Sequence, residues 1–241
     1  MLYSHDNLNI SITDSINNPM KKKVNSSVQT LQAYLQGLLD TDDGKNTIAA
    51  LVDQRLNMLR VLFTLPAAGN DQLVLGFVRH YIASAPKHLS AFQALAEMTG
   101  CDSYTQPFLD TAQQFFFEPH PVSDAESGLH ALLCKAYLFH RMMEELNDRI
   151  TLERQLPLAP IDMAHANLVA HTLIGDEQAN LLDQTVLIQL ELINVGSADK
   201  AKQLFQQTSV KATTLELKNK GWQAVLERWP FLGDDLSGVF E

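Results

Sequence analysis

From Ser26 to Arg228, apolar side chains recur at intervals of three and four residues, and no two segments alternate cleanly enough to pair as strands. That period puts one apolar stripe along each helical segment. A chain built this way must bury helix against helix. Val28, Leu31, Leu35 and Leu38 set the first stripe, and Ile48, Val52, Leu56, Leu59 and Leu62 the second. Further helices are predicted over 73–82, 89–98, 107–117, 123–150, 162–174 and 176–195, with a ninth from Ser197 and a tenth over 213–228. Pro66, Pro86, Pro119, Pro121, Pro157 and Pro160 punctuate this series, as do Gly100 and Gly175. Proline and glycine are the residues that stop helices. Ser123 and Glu126 spell a capping box for the longest helix, and Asp162 is placed to cap the next. The β-branched stretch 186–193 is the one place where a strand competes with helix.

The pattern therefore predicts an all-α protein. It has one compact domain of nine or ten helices over residues 24–241, bundle-like or orthogonal in packing, behind an extended leader at 1–23. With 241 residues and 46% hydrophobic composition, the chain can bury a core without disulfides or a structural metal. No apolar run reaches the roughly 18 residues that a membrane span needs.

Charge narrows the partners. The formal net charge is −10, and neither half of the chain is basic. A cationic face that could neutralise phosphates is missing; Lys21, Lys22 and Lys23 form the one basic cluster. This argues against nucleic acid and anionic membrane, and leaves a protein partner or self-association. Cys101 and Cys134 stand alone, with no Cys-x-x-Cys pairing, as expected of free thiols in a reducing, cytoplasmic setting. Trp222, Leu226 and Trp229, followed by Phe231, Leu232, Leu236, Val239 and Phe240, give the C-terminal segment enough apolar surface to grip another surface, so a homodimer through this tail or the leader is a plausible expectation.

Within the 123–150 helix, Leu129, Leu132, Ala136, Phe139, Met143, Leu146 and Ile150 form the buried face. His140, Glu144 and Asn147 run along its edge, with Arg141 and Glu145 pointing outward. Polar groups on a largely buried helix need partners. The 162–174 helix offers Asn167 and His171, four residues apart beside its own apolar stripe. Packed antiparallel, the two helices bring His140, Glu144 and His171 toward a two-histidine, one-carboxylate set. That ligand set suits a divalent metal such as iron with open positions, with Asn147 or Asn167 orienting a ligand. The competing reading is a satisfied structural network. Asp176, Glu177 and Asp183 read as first-turn acids favoured by the helix dipole. Phe115, Phe116 and Phe117 cannot all face one core from a helix, so Phe116 is taken as a pocket residue.

No nucleophile elbow, phosphate-binding glycine loop or activated cysteine is spelled by the chain. The leading expectation is thus a non-catalytic regulatory or adaptor protein acting through protein contacts. A helical metalloprotein or non-haem oxygenase-like enzyme comes second. A binding protein for an apolar small molecule is third.

Overall fold

The computed structural model describes residues 19–41, 45–62, 69–119, 128–195 and 203–207. They form seven α-helices: α1 (Pro19–Thr41), α2 (Lys45–Leu62), α3 (Asn70–Thr99), α4 (Asp102–Phe117), α5 (Gly128–Arg154), α6 (Ala164–Ile174) and α7 (Asp176–Val195). A single helical turn follows at 203–205, and no strand occurs among the described residues. The all-α expectation holds, with fewer helices than the nine or ten predicted. Stretch 186–193 belongs to α7, so the helical period prevails over its β-branched composition. The first eighteen residues of the leader, the Ser123–Glu126 capping box, the 213–228 helix and the apolar C-terminal tail lie outside the described residues. Helix α1 already begins at Pro19, so the lysine cluster stands on its first turns rather than before it.

Within the described residues the helix count falls at Pro86, while the predicted tenth helix and most of the ninth lie outside them. The chain carries one helix straight through this residue instead of two helices meeting there. Proline removes a backbone donor and crowds the preceding turn, at a cost of about 3 kcal/mol. Here packing on both sides outweighs that cost: Val78, Tyr81, Ile82, Ala85, Leu89 and Phe92 are all fully buried. In the turn before the proline, the Tyr81 carbonyl accepts from Ser84 Oγ at 2.8 Å and from His140 Nε2 at 2.9 Å. Side-chain donors thus reinforce the backbone next to the weakened point of the ladder. Helix α4 likewise starts earlier than expected and takes Pro107 into its interior.

Glycine stops occur where the sequence marks them. Gly100 ends α3 in the left-handed conformation at φ 69°. Gly175 separates α6 from α7 at φ 96°, and a Cβ added there would lie 2.2 Å from a guanidinium nitrogen of Arg55 on α2. The backbone angle demands glycine, while the flexible end of Arg55 could move aside for a Cβ. Asp162 caps α6, its Oδ1 accepting from the Ala164 N–H at 3.0 Å.

One hydrophobic cluster, from Leu31 on α1 to Phe205, joins all seven helices. Helix α5 is its axis and packs against α2, α3, α4, α6 and α7. No helix among the described residues is long and apolar enough to cross a membrane. Cys101 and Cys134 are buried and in no disulfide among the described residues.

Candidate functional site

A cleft of about 240 Å³ opens at the surface where α5, α6 and α7 meet; Tyr137, Arg141, Glu144, Asn167, His171 and Asp183 supply its polar groups. Tyr137, Arg141 and Glu144 sit at i, i+4 and i+7 of α5, so one flank of that helix presents all three. Asn167 and His171 face them from α6, four residues apart. Asp183 comes from the second turn of α7, held against α5 by the buried Ala179, Leu182 and Val186.

The side chains bind one another. Arg141 Nε donates to Asp183 at 3.0 Å and its NH2 to Glu145 at 3.3 Å, while NH1 pairs with Glu144. Asn167 Nδ2 donates to the same Glu144 oxygen at 2.6 Å. On its other side, Asn167 Oδ1 accepts from the buried Tyr81 hydroxyl at 2.7 Å, tying the cleft to α3. The Tyr137 hydroxyl lies 3.0 Å from Asp183 Oδ1 and 3.1 Å from His171 Nδ1. A carboxylate cannot donate, so the Tyr137 proton goes to Asp183 and His171 Nδ1–H donates to the Tyr137 oxygen. His171 Nε2 is left facing Asp176 at 3.5 Å.

Electrostatics keep these roles fixed. Burial and then the Asp183 charge push the Tyr137 phenol well above its usual range, so it stays a neutral donor. Partial burial alone would lower the Arg141 pKa, but Glu144 and Asp183 outweigh it and the guanidinium stays charged. The result is a pre-formed floor in which one cation faces more than one carboxylate. Such a floor can orient a charged or hydrogen-bonding group brought to it.

The expected metal ligands do not come together. Glu144 and His171 share the cleft. His140 is fully buried on the α3 side of α5, its ring centroid 4.3 Å from that of Tyr81. Its Nε2 donates to the Tyr81 carbonyl, so Nδ1 carries the lone pair, and that nitrogen has no hydrogen-bond partner among the described residues. Burial lowers the His140 pKa to about 4, against the opposing hydrogen bond to Tyr81. Among the described residues no group of three or more His, Cys, Asp or Glu side chains is arranged to hold a metal ion. The i, i+4 spacing places His140 and Glu144 on neighbouring arcs of α5, and the cross-helix partners pull those arcs apart.

Asn147 also sits away from the cleft. Its Oδ1 accepts from the Leu158 and Ala159 N–H groups at 2.8 and 3.0 Å, and its Nδ2 donates to the Ala159 carbonyl at 3.0 Å. It clamps the α5–α6 connection. Asn167, by contrast, does lie in the cleft. Phe116 is fully buried against Phe139, with centroids 5.8 Å apart. Of its neighbours, Phe115 borders a cavity between α4 and α7, and the exposed Phe117 meets Tyr34 of α1 in a tilted ring contact at 5.2 Å.

Sequence reasoning missed Tyr137, Arg141 and Asp183. Asp176 and Glu177 do lie in the first turn of α7, but Asp183 does not. The i, i+4, i+7 spacing of Tyr137, Arg141 and Glu144 was the available signal. It was hidden because Arg141 reads as an outward charge until α7 is placed beside it. Comparison with protein-family models, curated proteins and solved structures finds no match to the chain.

Proposed function

We propose that this is a non-catalytic regulatory or adaptor protein that acts through protein contacts, and that the outer face of α7 is its contact surface. One observation carries the reading. Leu181, Leu187, Ile188 and Leu192 are 46%, 51%, 57% and 65% exposed on this one helix. At about 100° per residue, Leu181, Ile188 and Leu192 fall within an arc of roughly 40°. Single exposed aliphatic residues are common on any surface, whereas an aligned row of them marks a site of association. Asp183 falls about 160° round α7 from this row, so the polar cleft lies on the other side of the helix and the row stands as a surface by itself. Two buried free thiols support a reducing, cytoplasmic setting.

Photo-crosslinking tests the reading. A photoreactive residue is placed at Ile188, and in a control chain at the exposed Glu153 on α5. A discrete adduct with one protein, formed from position 188 and not from 153, is the expected result. Identical adducts from both positions, or none from 188, would reject it.

A second reading, binding of an apolar small molecule, has a specific groove behind it. Tyr34, Leu38, Ala131 and Leu132 line about 250 Å³ between α1 and α5. Retention of a nonpolar fluorescent probe that is lost in Leu132→Asp would favour it. The metal-centre reading loses its ligand set in the geometry above.

A further inference from the structure

We infer that the occupant of the α7 face is a basic amphipathic helix from a partner protein, about three turns long. The inference rests on the protein-contact reading and specifies the chemistry of the partner.

Length comes from the stripe. Leu181 and Leu192 are eleven residues apart, or about 16 Å along the axis at 1.5 Å per residue. A partner segment matching it needs about the same number of residues, with its own apolar side chains at i, i+3/i+4 and i+7, the register by which a helix seats on an apolar face. Longer apolar surface on the partner would have nothing to meet on α7.

Charge comes from what flanks the stripe. Glu177 and Glu191 of α7 fall beside one edge of the stripe, Asp176 and Asp183 lie on the far side of the helix, and neither α6 nor α7 contains a Lys or Arg. The one cation in the neighbouring cleft, Arg141, is already bound by Glu144, Glu145 and Asp183. These two helices thus bring carboxylates and no cation to an arriving chain. A Lys- or Arg-flanked helix gains attraction along the edge that carries Glu177 and Glu191, and an acidic one is repelled there. Packed antiparallel, a second copy of this chain would set Glu177 and Glu191 of one α7 beside those of the other, which disfavours that pairing.

The test uses the full chain and three labelled synthetic helices of 18 residues that share one leucine face and differ in flanking lysine, glutamate or glutamine. Fluorescence anisotropy reads their binding, with a scrambled lysine peptide of equal composition as control. The lysine helix is expected to bind at least tenfold more tightly than the glutamate helix and the scrambled control, and to weaken as salt is raised. Leu181→Ser combined with Ile188→Ser should weaken it at least tenfold while far-ultraviolet circular dichroism stays unchanged. Glu177→Gln with Glu191→Gln should weaken the lysine helix severalfold and leave the glutamine helix unmoved. Equal binding of lysine and glutamate helices, or indifference to the α7 substitutions, would overturn the inference. So would wild-type dimers in sedimentation that the double serine variant dissolves, since the occupant would then be a second copy. An Ile188 adduct without any preference for the lysine helix would reject the basic partner and leave protein contact standing. Absence of that adduct would reject protein contact itself.

Discussion

Two neighbouring arcs of α5 carry polar side chains into largely buried surroundings, and they differ in what they bind. On the first arc, His140 and Asn147 engage backbone: the Tyr81 carbonyl for one, and the amides and carbonyl of residues 158 and 159 for the other. On the second arc, Tyr137, Arg141 and Glu144 engage side chains of α6 and α7. Backbone polar groups must be satisfied wherever they are buried. The first arc does this and is thereby committed to the fold. Side-chain pairs at an open cleft can exchange partners without leaving buried backbone unpaired, so the second arc is the one able to take part in recognition.

The comparison is tested hardest at Asn147. Its replacement by alanine leaves two backbone donors and one acceptor in the 158–159 turn without partners, at about 1–3 kcal/mol for each group that water cannot reach. Asn147→Ala should therefore cost about 3–4 kcal/mol in urea unfolding. A loss under 1 kcal/mol would show that the turn holds without its clamp.

His140 gives the next largest effect, through pH. Its folded pKa of about 4 lies below the ordinary 6.5 of the unfolded chain. Between these values the unfolded state binds a proton that the folded state refuses. Stability is thus full above pH 6.5 and falls as the pH drops toward 4, by about 3 kcal/mol in all. Urea unfolding from pH 7 to pH 4 should show this slope in the wild type and a shallower one in His140→Gln. The buried His88, its pKa also lowered by burial, contributes in the same direction and persists in the variant.

Asn167 joins the two regions, and its substitution sharpens the boundary between them. Asn167→Ala removes the acceptor of the fully buried Tyr81 hydroxyl. The expected cost is about 2 kcal/mol, mostly from the orphaned phenol. Tyr81→Phe in the same background should recover most of it, because the unpaired hydroxyl is then gone.

Helix existence was legible because it depends on local period. The stripes over 26–38, 48–62 and 176–195 each mark a helix that the structure contains. The stop at Pro86 was misjudged because a proline's local cost is visible in sequence, while the burial of Tyr81, Ala85 and Leu89 around it is a tertiary fact. The site was legible in part. Glu144, Asn167 and His171 stand together in the cleft, but the metal set also required His140, and a spacing of four residues does not fix which neighbouring helix each side chain meets. Asp183 was invisible for the same reason: its role depends on α7 lying beside α5, which no residue near position 183 encodes.

Arg141 is where the smallest stability effect should appear, and where the two arcs separate most sharply. Its side chain and those of its partners Glu144, Glu145 and Asp183 are 23%, 19%, 24% and 28% exposed, so water screens the pairs and replaces them when they break. Arg141→Met keeps the aliphatic stem packed and removes the charge; the loss should be about 1 kcal/mol or less in urea unfolding at pH 7. High salt should narrow it further. A loss equal to that of Asn147→Ala would mean that the second arc holds the fold as firmly as the first, and the cleft would then have no freedom to exchange its partners. A small loss would show that the second arc can exchange its partners at little cost to the fold, as an open cleft able to take part in recognition requires.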